Sequence, residues 1–419
     1  MLIESEFLAY DFVWAISEAV DLVSPALNNH NKKVAYLAGS ISQEMGMKND
    51  EIQIIILAAM LHDIGSFSFN ERMKLLAFES DDADYLNHSL MGYELLKGFP
   101  PLTRAAELIK YHHAVYEPGN SQIPIGSYIL HLADRISVLY REDCEILGQA
   151  PEMLETIRQS YKLFHPDTLT ALFQLAKKEY FWFEAFSAIK LTSKFRIARF
   201  SDGIIDIQTL RGFAKVVANI IDFRSKFTAT HSSGVSAVAF ELTGLAGFSE
   251  RDCKLMEIAG FLHDLGKLAV PNEILEKNGP LTDLEFNIIR KHTYYTFEIL
   301  NRVNGFEKIA TMAAYHHEKP DGSGYPFHVK GEEFSVLSRI MAVSDIVTAL
   351  TEDRPYRMGM DRQKVEKVLH SMTKSGALDN GIAELAISNF SIINDVRMEI
   401  QHNGRKVYDV FRESVALSA

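Results

Sequence analysis

Cysteine is nearly missing from this 419-residue chain. Cys144 and Cys253 stand far apart and outside any metal-ligand spacing, which excludes a disulfide framework and a zinc ribbon and leaves both expected as buried thiols. No stretch approaches the roughly 20 apolar residues of a membrane span. Met1 to Val13 carry Glu4, Glu6 and Asp11 and lack a basic region leading into a long apolar run, so they do not read as a signal peptide. A soluble, cytoplasmic protein without membrane attachment is expected. Positive charge is scarce as well: the formal net charge of −12 disfavours long nucleic acid as a partner, although a local cationic pocket could still take a small anion. Low-complexity tracts are lacking, and alternating apolar and polar runs are few, which speaks against β-structure.

What remains is ordinary globular composition, 47% hydrophobic and 23% charged. The length suggests two domains of roughly 150 to 200 residues. Apolar residues recur at three- and four-residue spacing in Ile52 to Leu61, Leu169 to Tyr180, Leu255 to Leu262 and Leu284 to Leu300. The expected fold is all-α. One helix start is well marked, with Thr282 as N-cap and Glu285 three residues on, and this helix should run to about Val303, ahead of Asn304-Gly305.

The histidines reveal an internal repeat with a period of about 200 residues. His30 is followed after 32 residues by His62-Asp63, and His231 after 32 residues by His263-Asp264. From His88 to His112-His113 is 24 residues, and from His292 to His316-His317 again 24. Each half then ends in an aspartate in an apolar frame, Asp134 or Asp345. Ten of the 15 histidines belong to these two sets, so chance repetition is excluded and duplicated domains are implied. The expected bounds are 1–200 and 201–380, followed by a helical segment over 381–419. The turn at Ser201-Asp202-Gly203 marks the boundary.

Imidazole and carboxylate together suit first-row divalent metals. A lone histidine is usually a satisfied core or surface residue; seven ligand types recurring twice in one order are not. In the second half His231, His263, Asp264 and Asp345 form a ligand set for one metal, with His292, His316 and His317 for its neighbour and Asp264 as the bridge. Two metals about 3.5 to 4 Å apart can activate water and clamp the attacking and leaving oxygens of a phosphodiester.

The run His263-Asp264-Leu265-Gly266-Lys267, the stretch from His316 to Pro326 with its Gly324-Tyr325-Pro326, and Leu350 to Arg357 together resemble the HD-GYP family. That resemblance implies a helical phosphohydrolase with a bi- or trinuclear iron or manganese site that opens cyclic di-GMP, or the mixed guanine-adenine cyclic dinucleotide (3′,3′-cyclic GMP-AMP), to the linear form in bacterial second-messenger signalling. It further implies that Lys267 contacts the scissile phosphate, that Arg354 and Arg357 hold the substrate's phosphates, and that Tyr325 lines the pocket beside a base. Asp264 and Lys267 are the catalytic candidates. Cations suit charge developing on phosphoryl oxygens, and an aromatic face can stack a purine. Some members carry a glutamate four residues before the first histidine that helps hold a third metal. Phe227 stands there instead, so two metals, iron or manganese, are expected.

The first half keeps His30, His62, Asp63, His88, His112, His113 and Asp134, a second candidate metal site resembling the wider HD phosphohydrolases. Ser66 replaces Lys267, and the loop from His112 to Asp134 spans 22 residues against 29 from His316 to Asp345. An inert structural copy, a metal-bound regulatory domain and a second hydrolase of 5′-nucleotidase type acting on another phosphate, such as the linear product, all remain open for it. For the second half the rival class is a cyclic-dinucleotide sensor without turnover, and a nucleotide phosphohydrolase comes third. A homodimer is left open.

Overall fold

The computed structural model describes residues 7–21, 29–66, 78, 83–186, 204–224, 229–277, 279–353 and 358–418. Helix dominates, and among these residues the only β-structure is two two-residue strands, Phe7–Leu8 and Ile204–Ile205. The chain divides into two compact units. One runs from Ile16 to Ile204 with the chain end from Glu413; the other runs from Ile205 to Arg412 with the chain up to Ala15. The expected boundary turn at Ser201 to Gly203 lies outside the described residues.

After α1 (Ala9–Asp21), the first unit comprises α2 (His30–Glu44), α3 (Asn49–Leu61), α4 (Ala83–Leu96), α5 (Thr103–Lys110), α6 (Ile125–Leu139), α7 (Ile146–Gln159), α8 (Pro166–Leu175) and α9 (Glu179–Phe186). The second comprises α10 (Ile207–Asp222), α11 (His231–Leu245), α12 (Glu250–Leu262), α13 (Asn272–Leu275), α14 (Asp283–Leu300), α15 (Glu307–Ala314), α16 (Val336–Thr351), α17 (Arg362–Lys374), α18 (Asn380–Ser388) and, up to Arg412, the long α19 (Phe390–Ser418). Each unit is built around one helix buried nearly all round, α2 through Val34, Leu37, Ala38 and Ile41, and α11 through Val235, Val238, Ala239 and Leu242. The packing repeats. Helix α2 lies on α3 and α6, α4 on α5, and α5 on α3; likewise α11 lies on α12 and α16, α14 on α15, and α15 on α12.

The duplicated glycine after each His-Asp pair explains how these helices come so close. A Cβ on Gly65 would lie 2.1 Å from the His88 carbonyl, and one on Gly266 would lie 1.9 Å from the His292 carbonyl. The turn after α3 or α12 therefore presses directly on the helix that carries the next histidine. Thr296 Oγ locks the second copy by donating to the His263 carbonyl at 3.1 Å and accepting from Gly266 N–H at 2.9 Å. Thr282 and Glu285 form the expected reciprocal cap of α14.

Two local expectations are corrected. The helical spacing from Leu169 to Tyr180 is broken after α8, where Lys178 N–H turns back to Leu175 and the indole of Trp182 donates to Ala176. The break lets Phe181 and Trp182 enter the core. Cys253 is buried, but Cys144 is only half-buried, with its thiol facing the Asp143 carboxylate.

In the second unit, the start of α1 sets Phe12 between Phe213 and Phe306, at ring centroids of 5.2 and 5.4 Å. Helix α19 places Tyr408 and Phe411 against Phe223. Gly266→Ala should cost about 1–3 kcal/mol or more, because the obstacle is backbone. Gly98→Ala, where a Cβ meets nothing within 4 Å, should stay within about 0.5 kcal/mol. Urea unfolding followed by circular dichroism separates the two.

Candidate metal centre

Helix ends deliver most of the candidate ligands in the second unit. His231 opens α11, His263 and Asp264 close α12, His316 and His317 follow α15, and His292 and Asp345 project from within α14 and α16. The last carbonyls of a helix lack intrahelical donors. Nδ1 of His263 donates to the Gly260 carbonyl at 2.8 Å and Nδ1 of His316 to Ala313 at 2.7 Å, each using such a terminal carbonyl. His292 Nδ1 donates to Ile289 at 2.6 Å. A carbonyl only accepts, so in all three rings the hydrogen is on Nδ1 and Nε2 presents a lone pair.

These lone pairs converge. His292 and His316 face each other at 3.2 Å between Nε2 atoms. Burial pulls the His292 imidazole down to about 3 and the His316 imidazole well below its ordinary value, so both are neutral near pH 7. Two acceptors at that distance repel unless a cation joins them. About 3.0–3.4 Å is the separation of two nitrogens bound to one ion at about 2.1 Å. Ligand atoms of His292, His316 and His317 lie within 4.8 Å of one another, as do those of His231, His263 and Asp264. Asp264 spans both groups: one oxygen is 3.2 Å from His263 Nε2, the other 3.4 Å from His292 and 3.9 Å from His316. Asp345 completes the set at 3.2 Å from His231 Nε2. All seven sequence-selected residues come together, and their donor atoms suit a divalent metal.

Burial would raise the Asp264 carboxyl, but His263 and Lys267 outweigh it and hold the group well below the usual carboxylate range. Burial acts likewise on Asp345, where His231 and other imidazoles prevail. Lys267 Nζ sits 2.6 Å from Asp264, a quarter exposed at the rim. Tyr325 lies beside His317, with ring centroids 5.0 Å apart, where the Gly-Tyr-Pro turn folds back and Tyr325 N–H bonds the His317 carbonyl. A Cβ at Gly324 would strike the Glu318 backbone at 2.4 Å, so only glycine permits this fold-back. Arg354, Arg357 and Phe227 lie outside the described residues.

Three residues escaped the sequence reading. Arg290, two residues before His292, sets its guanidinium 4.8 Å from the centre of the Tyr325 ring and adds a cation to the pocket mouth. Asp222, buried, accepts from the N–H and hydroxyl of Ser232 and so fixes the first turn of α11 behind His231. Glu352 meets His231 Nδ1 at 3.2 Å. Only Arg290 had a sequence signal, its place on the His292 helix.

The first unit gathers its seven residues in the same way. His62 and His112 donate through Nδ1 to the Ala59 and Ile109 carbonyls at 2.8 and 2.6 Å, and His88 Nε2 lies 3.1 Å from Nε2 of both His112 and His113. Asp63 reaches His30 with one oxygen at 3.7 Å, and His62 and His88 with the other at 3.4 and 3.5 Å. Asp134 lies 3.2 Å from His30. The cation differs. Ser66 is buried where Lys267 stands in the second unit, while the buried Arg135 binds Asp134 at 2.5 Å. Burial would raise Asp134, yet Arg135 with His30 and His62 keeps it well below its usual range.

Residues 28–139 and 215–382 each match the HD domain model. The chain is 30% identical over 391 residues to 3′3′-cGAMP-specific phosphodiesterase 1 of Vibrio cholerae, covering 90% of each chain. It is 38% identical over 143 residues, 34% of this chain and 38% of the other, to a cyclic di-GMP phosphodiesterase response regulator of Xanthomonas campestris. A solved structure of a Vibrio cholerae cyclic GMP-AMP-specific phosphodiesterase shares the fold at a TM-score of 0.64, with 22% identity over 92% of this chain and 98% of that one. Two HD domains in tandem thus define the class, the metal-dependent HD phosphohydrolases. Within it the chain belongs to the HD-GYP family of phosphodiesterases. Among the described residues no helix is long and apolar enough to cross a membrane.

Chelator-treated protein should lose stability in mild acid. Burial depresses His292 to about 3 and His88 to about 4, and also lowers His112, His113, His316 and His317. An unfolded chain protonates its histidines near 6.5, so below that pH the unfolded state binds more protons and stability falls with pH. At His62, burial is outweighed by Asp63 and Asp134, which raise the group to about 9. Burial is outweighed at His231 too, by Glu352 and Asp345. These two carry the opposite sign, with their contribution full below pH 6.5 and lost as pH rises through the folded values, so between pH 7 and pH 5 they and Asp222, which burial raises to about 7, offset only part of the loss from the six depressed imidazoles. Melting temperatures at pH 7 and pH 5 test this, and an apo-protein more stable at pH 5 would contradict it.

Proposed function

We propose that the second unit hydrolyses a cyclic dinucleotide to its linear form, with the mixed guanine-adenine cyclic dinucleotide preferred over cyclic di-GMP. The observation that carries the reading is Asp264 spanning two imidazole groups, with Lys267 at the oxygen that faces His263. Two divalent metals, iron or manganese, would be held by His231, His263, Asp264 and Asp345 on one side and by His292, His316 and His317 on the other, with Asp264 common to both. When bound, they supply positive charge that activates water and stabilises the transferring phosphoryl group.

The chain's own residues do the rest. Lys267 offers its ammonium to a non-bridging phosphoryl oxygen and lends charge as that oxygen becomes more negative. The Tyr325 ring, with Arg290 above it, gives a base an aromatic face, and Arg354 and Arg357 are the candidates for the second phosphate. Substrate preference is supported by the relative named for the mixed dinucleotide, which matches nearly the whole chain, whereas the cyclic di-GMP response regulator matches about a third.

In the first unit the retained ligand set supports metal binding. Ser66 in place of lysine removes the candidate phosphate-contacting cation and the loop is shorter, so a regulatory role, or hydrolysis of a smaller phosphate such as the linear product, fits this unit better.

A chromatographic time course with manganese-loaded protein tests the reading. Both cyclic dinucleotides are supplied, and the double variant His263→Ala, Asp264→Ala serves as control. The mixed dinucleotide should disappear faster, and only with the unaltered second site. Lys267→Met should lower kcat by about 10²–10³-fold. The pair His62→Ala, Asp63→Ala should leave loss of the cyclic substrate in place while changing what becomes of the linear product. Metal-loaded protein that consumed neither substrate would favour a sensor.

A further inference from the structure

Glu352 lies outside the repeated ligand pattern, seven residues beyond Asp345 at the end of α16. It is buried, at 7% exposure. Its Oε2 lies 3.2 Å from Nδ1 of His231 and 3.4 Å from Nε2 of Gln401 on α19. Gln401 Nε2 also donates to the Thr230 carbonyl at 3.2 Å, immediately before His231, and its Oε1 accepts from the Arg397 guanidinium. The fit is close. A Cβ at Gly234, in the first turn of α11, would come within 2.6 Å of the Gln401 amide nitrogen.

We propose that Glu352 is the positioning residue for the metal ligand His231, and that Gln401 holds it in place from the C-terminal helix. A carboxylate can only accept at Nδ1, so that nitrogen carries the hydrogen and Nε2 is turned toward Asp345, 3.2 Å away. The negative charge behind the ring also makes Nε2 a stronger donor to a cation.

His263, His292 and His316 take this support from backbone carbonyls, whereas His231 opens its helix and meets a carboxylate instead. In the first unit the same problem is solved differently. His30 Nδ1 meets the neutral hydroxyl of Ser137 at 3.1 Å, and the position seven residues beyond Asp134 is Arg141. Charge-reinforced support of the first histidine therefore belongs to the second unit alone. It draws on α19, which lies beyond the matched HD segment ending at residue 382.

The inference rests on the reading of His231 as a metal ligand, so the test measures metal affinity apart from turnover. Manganese binding to the full chain is followed by calorimetric titration for the unaltered protein, His231→Ala, Glu352→Ala and Glu352→Gln, with folding checked by circular dichroism. Glu352→Ala should weaken manganese binding about 10–100-fold. Glu352→Gln keeps an acceptor without the charge, so it should recover part of that loss and should fold even if the alanine variant does not. At saturating manganese the KM for the mixed cyclic dinucleotide should be unchanged, because Glu352 faces away from the substrate. Unaltered affinity in both Glu352 variants, with His231→Ala impaired, would overturn the positioning role. If His231→Ala bound manganese normally, the ligand reading beneath it would fall instead.

Discussion

The structure depends on a hydrogen bond between an imidazole Nδ1 and a backbone carbonyl three residues earlier. His62, His112, His263 and His316 make it at the C-terminal ends of helices, where carbonyls are left without donors, and His292 makes it within a helix. The bond satisfies the helix end and at the same time fixes the ring and its tautomer. Everything at the site follows, because a lone pair on Nε2 is what a metal needs. Glu352 supplies the equivalent support to His231, which opens its helix.

Charge distinguishes two sites that geometry makes alike. In the second unit Asp264 and Asp345 stand among the imidazoles and Glu352 behind His231, with Lys267 at the rim as the near cation. Such a surplus of negative charge in a buried space is costly without divalent cations and favourable with them. In the first unit Asp63 and Asp134 stand against a buried Arg135 that occupies one oxygen of Asp134. The cation has moved from the rim, where it could meet a phosphate, to the interior, where it neutralises a ligand. The same seven residue types thus stand beside a rim cation in one unit and an interior one in the other.

Much of this was legible in the sequence because ligand chemistry tolerates few residue types and helices fix their spacing. The paired 32- and 24-residue intervals and the closing aspartates yield both constellations without coordinates. Helix periodicity yields the fold class, and the Thr282–Glu285 cap yields the start of α14. The break after α8 was missed because apolar spacing continues through it; the burial of Phe181 and Trp182, not local preference, decides it. The supports were missed for a related reason. Asp222, Glu352 and Gln401 are ordinary polar residues in sequence, and only burial beside His231 or its helix makes them matter.

The sequence by itself determined which residues come together, that the set occurs twice, and that helices carry it, since these properties reside in residue type and interval along one chain. Tertiary structure alone decided which oxygen of Asp264 faces which histidine, that Arg135 takes the place of Lys267 as the near cation, and that the C-terminal helix reaches back to the first ligand. Those depend on side chains meeting across intervals that carry no regular period, such as the 171 residues between Thr230 and Gln401.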